Sequence, residues 1–340
     1  MHLMASLIHL VVMALAACWA MVTATVRRVL LGPTMPSWSW RTEWTVASAR
    51  SVLAVASRYR DDAWLLRFGM TVQAPIPLDV RGDVSLRRVR LGGIGADRYT
   101  PSEPSSEMTI LYFHGGGYVF GNPGTHRQFL ARLVAATGAS AIAPTYRLAP
   151  AHRFPAAVDD AEQAYRALIA RGVDHRQIIV AGDSAGGGLT LALLHRIRER
   201  GYEMPAGALL FSPYADLRHR TYTIRVNAGT DYLPLAELER PNAQYAGTSQ
   251  LDLPEVSPVE ADLHGFPPLL VFAGGAEMIL GDSLTVAEHA ARDGVECELV
   301  IEPEMVHVWP ALVPWEAATR RTLDTAASWM DERSAMSAAD

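Results

Sequence analysis

The sequence predicts an α/β protein, a mostly parallel β-sheet covered by helices on both faces. Three observations carry this expectation. Short apolar runs of strand length alternate with longer stretches of helical composition. One run, Ile178-Ile179-Val180-Ala181, passes through Gly182-Asp183-Ser184-Ala185-Gly186 into an Ala/Leu-rich helix. Another, Ile110-Leu111-Tyr112-Phe113, leads straight into His114-Gly115-Gly116-Gly117. A chain of 340 residues is long enough to bury one large core and to carry a smaller cover over it.

Taken in order, the first element is an apolar stretch from Leu3 to Val26 that holds no Asp, Glu, Lys or Arg. It is long enough to cross a bilayer. No Lys or Arg precedes it, which counts against a secretory signal. Leu15-Ala16-Ala17-Cys18 resembles a lipoprotein cleavage box, but apolar sequence continues past Cys18. A membrane anchor and an apolar cap helix over the active site stand as equal alternatives. As an anchor, the segment would keep the body on the cytoplasmic side, because Arg27 and Arg28 follow it directly. Residues 37–70 then read as one or two amphipathic helices.

Strands are expected at Val84–Val89, Met108–Phe113, Ala139–Ala143, Ile178–Ala181, Ala208–Phe211, Leu269–Ala273 and Glu298–Ile301, with a loop over Thr100–Pro104. Helices are expected at 156–170, 185–200, 283–293 and 315–332. Residues 214–262 break the alternation with Tyr, Arg, Pro and Asn and read as a lid insertion. The expected organisation is an apolar segment over 1–30, a helical cap region over 31–80 and a catalytic domain over 81–335.

Composition narrows the partners. The net charge of −6 and scattered basic residues argue against nucleic acid. Two cysteines, Cys18 and Cys297, make neither a disulfide framework nor a zinc motif, so no metal or cofactor is expected and a reducing, cytoplasmic compartment is the default.

Gly182-x-Ser184-x-Gly186 has the spacing of a nucleophile elbow, in which a strained turn pushes the serine oxygen out of the sheet. The flanking glycines remove side chains that would collide there. The helix that follows presents free N–H groups, Ala185 first among them. The triple glycine after the Ile110 run lets further N–H groups reach a substrate oxygen, which suits an oxyanion hole. Phosphate-binding glycine patterns are absent. His114 reads as a residue that orders this loop.

His114-Gly115-Gly116-Gly117-Tyr118, Tyr146-Arg147-Leu148-Ala149-Pro150 with His152, Phe154-Pro155-Ala156-Ala157, Asp159-Asp160-Ala161 and Gly182-Asp183-Ser184-Ala185-Gly186-Gly187 occur together. In this combination the chain, from about residue 108 to 330, resembles the hormone-sensitive-lipase-like (bacterial family IV) esterases. Ala151 and Arg153 depart from that pattern, where Glu and Pro are usual. The resemblance implies the α/β-hydrolase fold with a helical cap, and Gly116, Gly117 and Ala185 as oxyanion donors with Gly115 beside them.

A serine nucleophile needs a histidine base and a carboxylate that fixes the histidine's tautomer, in the chain order Ser, acid, His. Past the insertion, His264 and His307 are the two weighed as base, and His307 follows a predicted strand and loop as a base should. Glu277 and Asp282 compete as acid. Glu277 is favoured as the first carboxylate after the Leu269 strand, and it falls on the first position of the family's Asp-Pro-Leu-x-Asp stretch. The expected activity is hydrolysis of short- to medium-chain acyl esters through an acyl-enzyme. A lactone hydrolase with the same triad and a non-catalytic small-molecule binder are the alternatives.

Overall fold

The computed structural model describes residues 2–56, 83–234 and 236–339. Eight strands form one sheet: β1 (Val84–Leu91), β2 (Ile94–Pro101), β3 (Thr109–Phe113), β4 (Ser140–Pro144), β5 (Ile178–Asp183), β6 (Gly207–Phe211), β7 (Leu269–Gly274) and β8 (Cys297–Glu302). Their spatial order is β1-β2-β4-β3-β5-β6-β7-β8. β2 runs antiparallel to both β1 and β4, and every pairing from β4 through β8 is parallel.

Side-chain alternation sorts each strand between two core layers. Leu111, Ile178, Val180, Leu210 and Val271 face one layer. It is filled by α4 (Ala156–Ile169), α5 (Ala185–Glu199) and α7 (Leu280–Arg292). Ile110, Ile179, Leu209 and Phe272 face the other, filled by α3 (Arg127–Thr137) and α8 (Ala317–Ala339). β5, β6 and β7 are buried along their whole length, which explains their unbroken apolar sequences.

Two elements depart from the sequence expectation. Thr100 and Pro101, expected in a loop, end strand β2, whose polar residues pair along one edge of the sheet. Helix α3 was not anticipated, although it ends on Gly138 in the left-handed conformation (φ 63°), an ordinary helix stop.

The N-terminal segment is a helix, α1 (His2–Leu31), lying antiparallel to α2 (Trp40–Ala56). The pairing is fixed by Arg28 on Glu43 (2.6 Å), Trp44 Nε1 on Thr25 Oγ1 (2.9 Å) and Ser51 Oγ on the Ala16 carbonyl (3.1 Å). The expected helical continuation over 57–70, and the cap region up to residue 80, lie outside the described residues. α2 is tied to the body: Trp38 Nε1 donates to the Glu304 carbonyl (2.7 Å), and Trp315 Nε1 donates to Thr42 Oγ1 (3.0 Å). Within 214–262 the chain forms turns, a helical turn at Thr223–Val226 and α6 (Ala236–Tyr245).

Candidate active site

The predicted site residues come from the ends of four strands, all at the C-terminal edge of the parallel sheet, where open α/β sheets form their crevices. Ser184 follows β5, the glycine loop follows β3, Glu277 follows β7 and His307 follows β8.

Ser184 has φ 51° and ψ −121°, a conformation that L-residues rarely adopt and that turns the strand sharply into α5. The turn is possible because its neighbours are glycines. A Cβ on Gly186 would collide with the Phe113 carbonyl oxygen, and one on Gly182 with that of Gly186. Ser184 stays partly exposed while the residues around it are buried. The N–H of Ala185 opens α5, where the helix's own geometry leaves it without a partner.

In the glycine loop, Gly116 (φ 122°) and Gly117 (φ 57°) hold conformations that suit glycine, and both are partly exposed. Their N–H groups have no acceptor among the described residues. Gly115 differs: it is buried, and its N–H donates to Asp183 Oδ1 (2.9 Å). The same oxygen accepts from the Tyr112 hydroxyl (2.5 Å), and His126 Nε2 stands 3.2 Å from Asp183 Oδ2. Burial alone would raise the Asp183 carboxyl, but His126, Tyr112 and the Gly115 N–H bring it below its ordinary value. Asp183 is thus an ionised anchor beneath the loop. Sequence reasoning missed it, although it sits inside the Gly-x-Ser-x-Gly motif. His114 is buried and stacked on Tyr146 at 4.3 Å, in keeping with a loop-ordering role.

His307 and Glu277 are both buried, with His307 Nδ1 3.2 Å from Glu277 Oε2. Burial works against a charged imidazole, yet Glu277, Asp231 and Asp183 outweigh it, and the His307 pKa is raised. Burial raises the Glu277 carboxyl, and His307 pulls it back only in part. Nδ1 engaged with a carboxylate leaves Nε2 as the nitrogen that can take a proton.

Asp282 goes elsewhere. Its Oδ2 accepts the N–H groups of Ala215 and Asp216, both at 2.9 Å, so it braces the insertion and makes no contact with His307. It does not cap α7 either, since the residue at that N-cap is Ile279. His264 is exposed beside Asp262. With Asp293 these two form a group whose ligand atoms lie within 4.8 Å of one another. They precede β7 and β8, at the opposite end of the sheet from Ser184.

With the geometry in place, three comparisons bear on the chain. A family model described as alpha/beta hydrolase fold matches residues 110–311. An acetyl-hydrolase of Streptomyces hygroscopicus is 36% identical over 251 residues, which is 73% of this chain and 82% of that protein. The crystal structure of the esterase EstE5, soaked with p-nitrophenyl butyrate, superposes with a TM-score of 0.78 at 34% identity, covering 86% of this chain and 99% of that one. An esterase from the bacterial hormone-sensitive lipase family gives a TM-score of 0.77 at 32% identity, covering 85% and 96%.

Proposed function

Because the chain belongs to the α/β-hydrolase fold family, among its hormone-sensitive-lipase-like esterases, we propose that Ser184, His307 and Glu277 are its nucleophile, base and acid. The enzyme is a serine carboxylic-ester hydrolase. Ser184 Oγ attacks the ester carbonyl as His307 Nε2 takes its proton. The N–H groups of Gly116, Gly117 and Ala185 hold the oxyanion. His307 returns the proton to the departing alcohol, leaving an acyl group on Ser184. Water, deprotonated by His307, then releases the acid. The observation that supports this reading is the buried Glu277–His307 pair, carried on strand ends at the same edge of the sheet as the strained Ser184 and the glycine loop, whose Gly116 and Gly117 N–H groups have no acceptor among the described residues.

The substrates are short acyl esters, the class suggested by the acetyl-hydrolase and by the butyrate ester soaked into EstE5. A restriction on length is supported by α6 of the insertion. A Cβ on Gly117 would sit 3.2 Å from Pro241 Cβ, so α6 roofs the oxyanion loop and leaves little room for a long chain. The test is hydrolysis of p-nitrophenyl acetate together with labelling by phenylmethylsulfonyl fluoride. Wild type takes one label per chain, on Ser184, and Ser184→Ala loses about 10⁴-fold or more in kcat. Equal activity in the two proteins rejects the mechanism.

The site of action is a membrane surface. Among the described residues one helix, His9–Leu31, is long and apolar enough to cross a bilayer. Val11, Leu15, Trp19, Val22, Val26 and Val29 form an exposed stripe along it, while Met13, Ala20 and Ala24 are buried on the opposite side. A helix held along α2, which is itself tied to the body, favours lying in the interface over crossing it. Full-length protein is therefore expected to float with phosphatidylcholine vesicles, and Leu15→Glu combined with Trp19→Glu to stay in the soluble fraction. Wild type that fails to float overturns the membrane reading and leaves the esterase reading intact.

A further inference from the structure

Beside the His307–Glu277 pair lies a second carboxylate that belongs to no motif. Asp231 sits in the insertion and is fully buried. Both of its oxygens face backbone. Oδ1 accepts the N–H of Tyr232 (2.7 Å) and of His307 (3.3 Å), and Oδ2 accepts the N–H of Met278 (2.8 Å). Met278 directly follows Glu277, so one carboxylate holds the peptide of the base and the peptide next to the acid. The residues before it reinforce this grip. Asn227 Nδ2 donates to the carbonyls of Gly275 (3.1 Å) and Glu277 (2.8 Å), and Thr230 Oγ1 donates to that of Ala276 (2.9 Å). From the other side, Arg50 Nε of α2 donates to the Asp231 carbonyl (2.8 Å).

We propose that Asp231 is a positioning residue for the triad: its carboxylate clamps the Glu277 and His307 loops in register, and its charge favours the imidazolium that forms during attack. The proposal rests on the triad assigned above. Burial raises the Asp231 carboxyl, while a charged His307 and the N–H groups of Met278, Tyr232 and His307 favour its ionised form, so its charge is best supported when the imidazolium forms. The groups acting on the imidazole are Glu277 from the β7 loop, Asp231 from the insertion and Asp183 at the end of β5. All three are acidic, and the Tyr232 ring lies 6.2 Å from the imidazole. Removing one of these charges must make the imidazolium easier to deprotonate.

Asp231→Asn tests both halves. One carboxamide cannot accept at both of its atoms, so one loop loses its anchor, and the charge is gone. The expected result is a fall in kcat of about 10- to 100-fold, with KM within about twofold of wild type. The acid limb of the kcat/KM profile moves to lower pH. A purely structural residue would lower the yield of folded protein without moving that limb. Wild-type kcat, or a loss that follows the folded fraction with the acid limb in place, overturns the proposal. Should Asp231→Asn fail to fold, Arg50→Gln removes the outer tether. It is expected to lower kcat several-fold at unchanged KM, and wild-type kcat there overturns the proposal. Labelling of wild-type Ser184 by phenylmethylsulfonyl fluoride is read in parallel: its absence removes the triad itself, whereas a labelled enzyme indifferent to residue 231 removes only this inference.

Discussion

The connection from β7 to α7 buries two carboxylates within a few residues, one at each end. At the strand end, Glu277 faces the imidazole of His307. At the helix end, Asp282 faces the backbone N–H groups of Ala215 and Asp216. Both are fully excluded from solvent, and burial raises both. Their partners separate them. In the proposed mechanism Glu277 meets a base that gains a positive charge during the reaction, so its ionised form would be favoured when it is needed. Asp282 meets only dipoles, with the Asp216 and Glu277 carboxylates nearby, and its pKa is pushed up to about 8. At neutral pH it is held largely protonated. Two acids of equal burial and nearly equal sequence position are thus suited to opposite tasks, one to stabilise a charge and one to join the insertion to the sheet.

The largest effect that can break this contrast is at Glu277. Glu277→Gln keeps the shape, but it removes the charge and offers Nδ1 an amide that can impose the wrong tautomer. A loss in kcat of about 10³- to 10⁴-fold is expected for p-nitrophenyl acetate. Because Glu277 also raises the His307 pKa, the acid limb of residual activity should move to lower pH. If Glu277→Gln keeps wild-type kcat, the contrast between the two carboxylates fails. Asp231→Asn is expected to fall below this in size, since it leaves the Glu277–His307 contact in place and disturbs only what holds it.

How much of this was legible depended on whether a residue's role is written in its own neighbourhood. Ser184 and Gly115–Gly117 sit between an apolar strand and a turn, and at Gly116, Gly182 and Gly186 glycine is demanded by collisions with backbone only a few residues away or on an adjacent strand. Most strands were legible for a similar reason: β5, β6 and β7 are buried on both faces and so are apolar throughout. Strand β2, second from the edge and only partly buried, has no such constraint, and its Ile94-Gly95-Ala96-Asp97-Arg98-Tyr99 carries a weak pattern. Glu277 could be favoured over Asp282 from its place after a strand, but what each carboxylate touches is set by residues 30 or more positions away. Asp231 and His126 had no local signal. Asp231 reaches Met278 and His307 only because the insertion folds back over two strand ends, and a hydrophobicity pattern says nothing about that return.

The smallest effect is the most discriminating, because it reverses sign with respect to the usual expectation for a buried aspartate. An unfolded aspartate loses its proton near pH 3.9, whereas folded Asp282 holds it to about 8. Across that window the unfolded chain has released a proton that the folded chain retains, so this group lowers stability as pH rises. Asn at the position accepts the same two N–H groups through its oxygen and has no proton to lose. Asp282→Asn should therefore match wild type in thermal stability near pH 4. It should exceed wild type increasingly toward pH 8, by about 5 °C in Tm. Its kcat should stay within about twofold of wild type, since it touches neither His307 nor Ser184. A Tm difference that is flat or shrinks with rising pH would mean Asp282 is ionised in the fold. It would then be a second buried charge, and the division between the two ends of the connection would no longer hold.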